Sequence, residues 1–267
     1  MKSRLLQFAV LLYLFSSISG CKNDRVKQPV NEHKVMAALY HQTSAEYVAL
    51  CHQAFNIADI MIRNSLTMNL EGKLAIITDI DETVLDNSPY EARCILEGFH
   101  YPEKWDEWCN RAEANAIPGS QRFFNFVADQ GIEIYYITNR KIHLMQPTIA
   151  NMRRHGFPYA DEAHLLMRES DNSKELRRRL VNEKYRVLLL LGDNLDDFTG
   201  AFEDKDINER KDVVSRLRTS FGRRFIVFPN PMYGSWETLI YSQADTLGYN
   251  TKGEMRRHFL TPFPLSR

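Results

Sequence analysis

The 267-residue chain has no surplus of charge of either sign, with 34 Lys and Arg against 34 Asp and Glu. No tract gathers its basic residues into the footprint of a nucleic-acid binder, so nucleic acid is not an expected partner. Cysteine is scarce, four residues in all, with no C-x-x-C pair and no Cys/His spacing of a metal site. The eight His residues are scattered and form no cluster. Internal repeats and low-complexity tracts are also missing. One short apolar run lies near the start, and no segment is long and apolar enough to cross a bilayer comfortably. What is present is a 44% apolar, 25% charged composition, which supports one compact domain with modest insertions and a sizeable core.

The short run, Leu5 to Phe15, follows Lys2 and Arg4 and gives way to small residues. That is the layout of a secretory signal peptide over residues 1–20. Its ending, "ISGC", resembles the bacterial lipobox, with cleavage after Gly20 and lipid on Cys21. Residues 21–34 are polar and read as a tether, so the expectation is an exported protein anchored to a membrane through Cys21. Lys22, where an Asp would favour inner-membrane retention, points to the outer membrane, facing the periplasm or the surface. Cys51, Cys94 and Cys109 remain, and an odd count leaves at least one thiol over. A Cys94–Cys109 bridge and three buried thiols both stay open.

From Val35 to Leu66 apolar residues recur at helical spacing without Gly or Pro, predicting one long or two shorter amphipathic helices. Five short, almost continuous apolar runs follow, at 73–79, 132–139, 163–167, 186–193 and 224–230. Strands covered on both faces read this way. Helical segments are predicted between them at 119–130, 146–155 and 173–184. Alternating strands and helices predict an α/β fold, Rossmann-like, with a mainly parallel sheet and helices on both faces. Residues 35–267 form the main domain; the helices of 35–70 and an insertion at about 87–118 make a small helical subdomain.

The stretch "AIITDIDETVLDN", residues 75–87, ends an apolar strand in Asp79, Asp81, Glu82 and Asp86, with no Lys or Arg among them. Burying such charges unpaired is costly, so the segment is either a solvated loop or the seat of a cation and a phosphate. Other strands also finish in polar residues: Thr138-Asn139, Gly192-Asp193 and Pro229-Asn230. In open α/β sheets ligands bind outside the carboxyl ends of the strands, so these distant residues are placed to converge. A solvated loop would need no such partners.

"DIDET" has the D-x-D-x-T form of the haloacid dehalogenase-like phosphatases, followed in order by Thr138, Lys174 and "GDNLDD". More narrowly, "DIDETVLDNSPY", "YYITNR", "GDNLDDF" and "FPNPMYGSWE" resemble the class C bacterial acid phosphatases, the lipoprotein e type of the 5′-nucleotidase group. The likeness runs from about residue 35 to 240. It implies a Mg²⁺ cofactor held by the Asp79 carboxylate, the Asp81 backbone carbonyl and Asp193, with Asp197 behind them holding Lys174. It implies a dimer, and it assigns stacking against an aromatic leaving group to Trp105 and Tyr233. Trp108 and Trp236 are expected in the core.

The chemistry can be built from the residues as well. A phosphomonoester is anionic, so its attacker needs charge neutralisation and in-line placement. Asp79, at the strand tip, is the natural nucleophile, forming an aspartyl-phosphate. Asp81 can protonate the leaving oxygen and then take a proton from water. A hard divalent cation with oxygen ligands suits the acids. Thr138 offers a hydroxyl and Asn139 a backbone N–H to the phosphate oxygens, and Lys174 is the cation that the likeness singles out. Arg177, Arg178 and Arg179 read as an exposed helical face. The insertion is too short for a large cap, so small and varied phosphomonoesters, nucleoside 5′-monophosphates among them, are the expected substrates. Two other readings stay open: a non-catalytic surface-binding lipoprotein on the same fold, and phosphoryl transfer to alcohol acceptors.

Overall fold

The computed structural model describes residues 31–68, 70–170, 172–242 and 251–264. The signal peptide, Cys21 and the first part of the expected tether lie outside these residues. The last part of that tether does not behave as one. Asn31 is buried, donating its amide to the carbonyls of Cys94 and Phe99 at 3.2 and 2.8 Å. Lys34 pairs with Glu91 at 3.0 Å.

The first helical stretch is two helices, α1 (Val35–Thr43) and α2 (Ala45–Leu66), divided at Ser44. Ser44 leaves the helical region at ψ 134°, and its side chain accepts from the Tyr47 amide, capping α2. The strands follow as β1 (Leu74–Thr78), β2 (Leu85–Asp86), β3 (Asn115–Ala116), β4 (Glu133–Lys141), β5 (Leu165–Arg168), β6 (Arg186–Gly192) and β7 (Phe225–Val227). The helices are α3 (Ser88–Glu97), α4 (Trp105–Arg111), α5 (Ser120–Asp129), α6 (Met145–Arg154), α7 (Glu175–Asn182), α8 (Ile207–Arg216), α9 (Ser235–Tyr241) and α10 (Lys252–His258).

Five strands form one parallel sheet in the order β5-β4-β1-β6-β7. The period-2 alternation of a strand divides their apolar residues between two faces. Ile76, Ile134, Tyr136, Leu189 and Leu191 pack with α2, α5 and α6. Ala75, Ile77, Ile137 and Leu190 pack with Val181 of α7 and with Phe198 on the other side. Both faces are covered, which is why the runs read as continuous rather than alternating.

The insertion folds as α3 and α4 around Tyr90, Cys94 and Phe99, joined to the main body by the antiparallel pair β2–β3. Grouping all of residues 35–70 with it needs correction. α1 packs on α3, whereas α2 lies on the sheet, with Phe55, Ala58 and Ile62 fully buried in the main core. Cys51, Cys94 and Cys109 are buried free thiols. No helix among the described residues is long and apolar enough to cross a membrane.

Candidate active site

Sheet register brings the polar strand ends to one edge. Thr78 lies beside Tyr136 on one side and Leu191 on the other, so Asp79 stands level with the ends of β4 and β6. The Asp79 amide donates to the Leu191 carbonyl at 2.9 Å, fixing the chain as it leaves β1. It then turns tightly: the amides of Thr83, Val84 and Leu85 all donate to the carbonyl of Ile80. Glu82 takes a left-handed conformation there, at φ 58°.

Asp79, Asp193 and Asp197 converge, each offering an oxygen within 4.8 Å of the others. Lys174, buried just before α7, touches Asp79 Oδ1 and lies 2.7 Å from Asp197 Oδ1. The second Asp197 oxygen accepts from the Asn194 amide at 2.9 Å. A Cβ at position 192 would overlap the Asp197 carboxylate, so only glycine permits this approach. One ammonium against three carboxylates leaves negative charge uncompensated. Burial pushes Asp79 up to about 7, with Lys174 opposing and Asp197 and Asp81 adding to the rise. Asp193 is pushed well up for the same reason, aided by Asp197 and Asp79. Such a set of oxygen donors with excess negative charge fits a hard divalent cation. Asp79 and Asp193 are the carboxylates suited to hold it, since both Asp197 oxygens already have partners.

Asp81 belongs to a second group. Arg140 grips its Oδ1 with Nε at 3.0 Å and Nη2 at 2.8 Å. Asn87 donates to the same oxygen at 2.8 Å. The Thr138 hydroxyl lies 3.4 Å from Oδ2 and accepts from the Arg140 amide. Asn87 is held in turn by the Trp108 indole N–H at 2.8 Å. Glu82, fully buried, accepts from the Asn87 amide through one oxygen, while the other has no partner among the described residues. Burial, then the charges of Asp81, Asp193 and Asp86, push its carboxyl well up, which favours the neutral acid.

The candidate residues do not all fall equally close. Asn139 is exposed, and its side chain accepts from Arg177 at 2.7 Å. Trp105 is half-buried, with the Arg140 guanidinium 5.5 Å from its ring and Tyr90 edge-on at 4.9 Å. Tyr233 is half-buried below the Lys34 ammonium, 6.0 Å away. Both aromatic residues are therefore one residue removed from the acids, Trp105 through Arg140 and Tyr233 through Asn230, whose Nδ2 donates to Asp193 at 2.7 Å.

The sequence pattern assigns no role to Arg140 or Asn87. The apolar run ends at Asn139, but β4 continues to Lys141, and strand alternation puts Arg140 on the same side as Thr138. That alternation is the available signal. The reading of Arg177 and Arg178 as exposed is corrected. Arg177 donates to the Thr138 carbonyl at 2.6 Å, and buried Arg178 donates to the Asp196 carbonyl at 2.7 Å. The first carbonyl belongs to β4 and the second to the acidic segment after β6. Trp236 is also corrected: it is half exposed, its N–H donating to the Asn230 carbonyl at 3.3 Å.

Comparison with known proteins agrees with this geometry. A family profile described as HAD superfamily, subfamily IIIB (acid phosphatase), matches residues 19–236. The structure is similar to that of a class C acid phosphatase from Bacillus anthracis, solved with tungstate bound. The TM-score is 0.82 and the identity 41%, over 87% of this chain and 98% of that one. The sequence is 28% identical to Acid phosphatase 1 of Solanum lycopersicum over 63% of this chain, and 27% identical to a Stem 31 kDa glycoprotein of Glycine max over 59%. These alignments span 62% and 58% of the two plant proteins' lengths.

Proposed function

The chain belongs to the acid phosphatases of HAD superfamily subfamily IIIB, and from that membership we propose that it hydrolyses small phosphomonoesters, nucleoside 5′-monophosphates among them, through an aspartyl-phosphate. One observation carries the reading: Asp79 stands at the sheet edge with Lys174 on one of its oxygens and Asp193 and Asp197 beside it. A carboxylate so placed is a nucleophile in need of a counter-charge. The tungstate in the Bacillus anthracis relative, an oxyanion of phosphate-like shape, supports the same substrate chemistry.

In the first step an Asp79 oxygen bonds to phosphorus as the ester P–O bond breaks. The leaving oxygen takes a proton from Asp81, whose Oδ1 is fixed by Arg140, leaving Oδ2 as the proton-carrying atom. In the second step Asp81 takes a proton from water as it attacks phosphorus and frees Asp79. Because the first step needs a protonated Asp81, turnover should be best below neutral pH. Lys174 and the Thr138 hydroxyl would offset charge on the phosphoryl oxygens. A bound divalent cation, Mg²⁺ in this reading, would neutralise further charge on the phosphoryl group. Asp79, Asp193 and the Asp81 carbonyl would hold it, with Asp197 keeping Lys174 in place.

Trp105 and Tyr233 are the planes offered to an aromatic leaving group. The lipobox-like "ISGC" adds the proposal of an exported protein anchored through lipid on Cys21, at the outer membrane. The test is phosphate release from AMP and p-nitrophenyl phosphate between pH 4 and 8, with and without Mg²⁺, alongside Asp79→Asn. Metal-dependent turnover lost in the variant supports the reading. A folded protein that releases no phosphate from either ester overturns it in favour of a binding module. Released alcohol in excess of free phosphate would identify transfer to an acceptor.

A further inference from the structure

The segment that carries Tyr233 is fastened to the acidic loop at two points. At its start, Asn230 uses both ends of its side-chain amide. Nδ2 donates to Asp193 Oδ2 at 2.7 Å, while Oδ1 accepts from the amides of Met232 and Tyr233 at 3.0 and 3.4 Å. That orientation is fixed by chemistry, because a flipped amide would set its oxygen against a carboxylate and its NH₂ against two N–H groups. The Asn230 carbonyl is also occupied, by the Trp236 indole.

At the other end, the Ser235 hydroxyl donates to Asp196 Oδ2 at 2.5 Å and accepts from Asn194 Nδ2 at 3.1 Å. Asp196 is no loose surface charge, since Arg210 holds its other oxygen at 2.7 Å and also donates to the Phe202 carbonyl. Between the two points Gly234 adopts φ 147°, and a Cβ there would crowd the Trp236 ring at 3.1 Å. Tyr233 therefore sits on a short span whose two ends are tied to residues 193 and 194–196.

We infer that Asn230 and Ser235 are positioning residues that set the Tyr233 ring in the same frame as Asp193, so that selectivity for an aromatic leaving group depends on the loop that holds the cation. The inference rests on the reading of Tyr233 as a leaving-group plane. Asn230 serves both sides, orienting a carboxylate suited to a cation and fixing the backbone under the ring. The Ser235 hydroxyl bonds Asp196 and Asn194 rather than a proposed ligand, so its effect falls on the ring's placement. Their effects therefore divide differently.

The experiment is calorimetric binding of two non-hydrolysable ligands, phenylphosphonate and methylphosphonate, to the full-length protein at saturating Mg²⁺. Titration of Mg²⁺ itself follows on the same samples. The wild type is expected to prefer the phenyl ligand. Asn230→Ala and Ser235→Ala should each bring that preference down toward the value of Tyr233→Leu. Adding Asn230→Ala to Tyr233→Leu should then reduce it no further. Asn230→Ala should also weaken Mg²⁺ about tenfold, the scale for an outer hydrogen-bond partner of a ligand, while Ser235→Ala leaves Mg²⁺ affinity unchanged. A phenyl-to-methyl ratio equal to wild type in both variants overturns the inference. So does the absence of any phenyl preference in the wild type. If the preference and its loss are found but no ester is turned over, the phosphatase reading fails and the positioning role stands.

Discussion

Arg140 holds a single oxygen of Asp81, placing two N–H groups on Oδ1 at 3.0 and 2.8 Å while Oδ2 is left to the Thr138 hydroxyl at 3.4 Å. In the proposed mechanism the grip divides the two oxygens, Oδ1 held by Arg140 and Oδ2 the one that would carry the proton. Lysine cannot reproduce it, because an ammonium on a flexible stem lacks the planar fork. Arg140→Lys is therefore expected to keep the fold but to lower kcat for p-nitrophenyl phosphate by about 10²-fold, the scale of a misplaced catalytic group. Undiminished kcat would mean that the grip is incidental to catalysis.

Lys174 joins two carboxylates from separate loops, since it contacts both Asp79 and Asp197. With Lys174→Met the hydrocarbon stem is largely kept and the charge is lost, leaving two buried acids face to face. Breaking a buried pair from one side costs about 3–5 kcal/mol, and the chain should lose thermal stability accordingly, along with turnover. Divalent cation should restore part of the stability but not the turnover. A melting temperature within a degree or two of wild type would show the pair to be energetically neutral.

Much of this site can be read from strand endings alone. Asp79, Thr138, Asp193 and Asn230 each end an apolar run, and a parallel sheet brings such ends to one edge whatever their separation in sequence. What the residue pattern hides depends on tertiary partners. "RRR" at 177–179 has the composition of a solvated helix face, yet Arg177 answers the Thr138 carbonyl of β4 and Arg178 the Asp196 carbonyl beyond β6. Trp236 has the size of a core residue, but it lies half exposed because its N–H is bound at the loop surface. Helical spacing over 35–66 allows one helix or two, and the side-chain cap at Ser44 decides between them.

The cysteines give a prediction that separates the two readings left open by their odd number. Cys51 and Cys94 are pushed up to about 11 and Cys109 to about 12, in each case chiefly by burial. Thiolate is the reactive form, so all three should resist iodoacetamide at neutral pH in the folded protein. Unfolding in urea without reductant should expose all three to alkylation, as read by mass spectrometry. A Cys94–Cys109 bridge would instead leave Cys51 as the sole labelled member of the three.

With the proposed cation at the acidic cluster, stability should depend on pH and on that cation together. Asp79 is pushed up to about 7 by burial, and Asp193 is raised in the same direction. Their unfolded values lie near the ordinary aspartate value of about 3.9. Between those limits the folded state binds more protons than the unfolded one, so without a cation stability falls as pH rises from about 4 toward 7. A divalent ion that binds the ionised carboxylates in the folded state reverses this, and its hold strengthens as the protons leave. The gain in melting temperature on replacing EDTA with Mg²⁺ should therefore be larger at pH 7 than at pH 5. Asp193→Asn removes one of the raised acids and a proposed ligand at once. It should be stabilised in EDTA at pH 7 relative to wild type, and should gain less from Mg²⁺ at either pH. An equal gain for the wild type at pH 5 and pH 7 would mean that the protons and the cation do not compete for these carboxylates, and the metal site would have to be sought elsewhere in the chain.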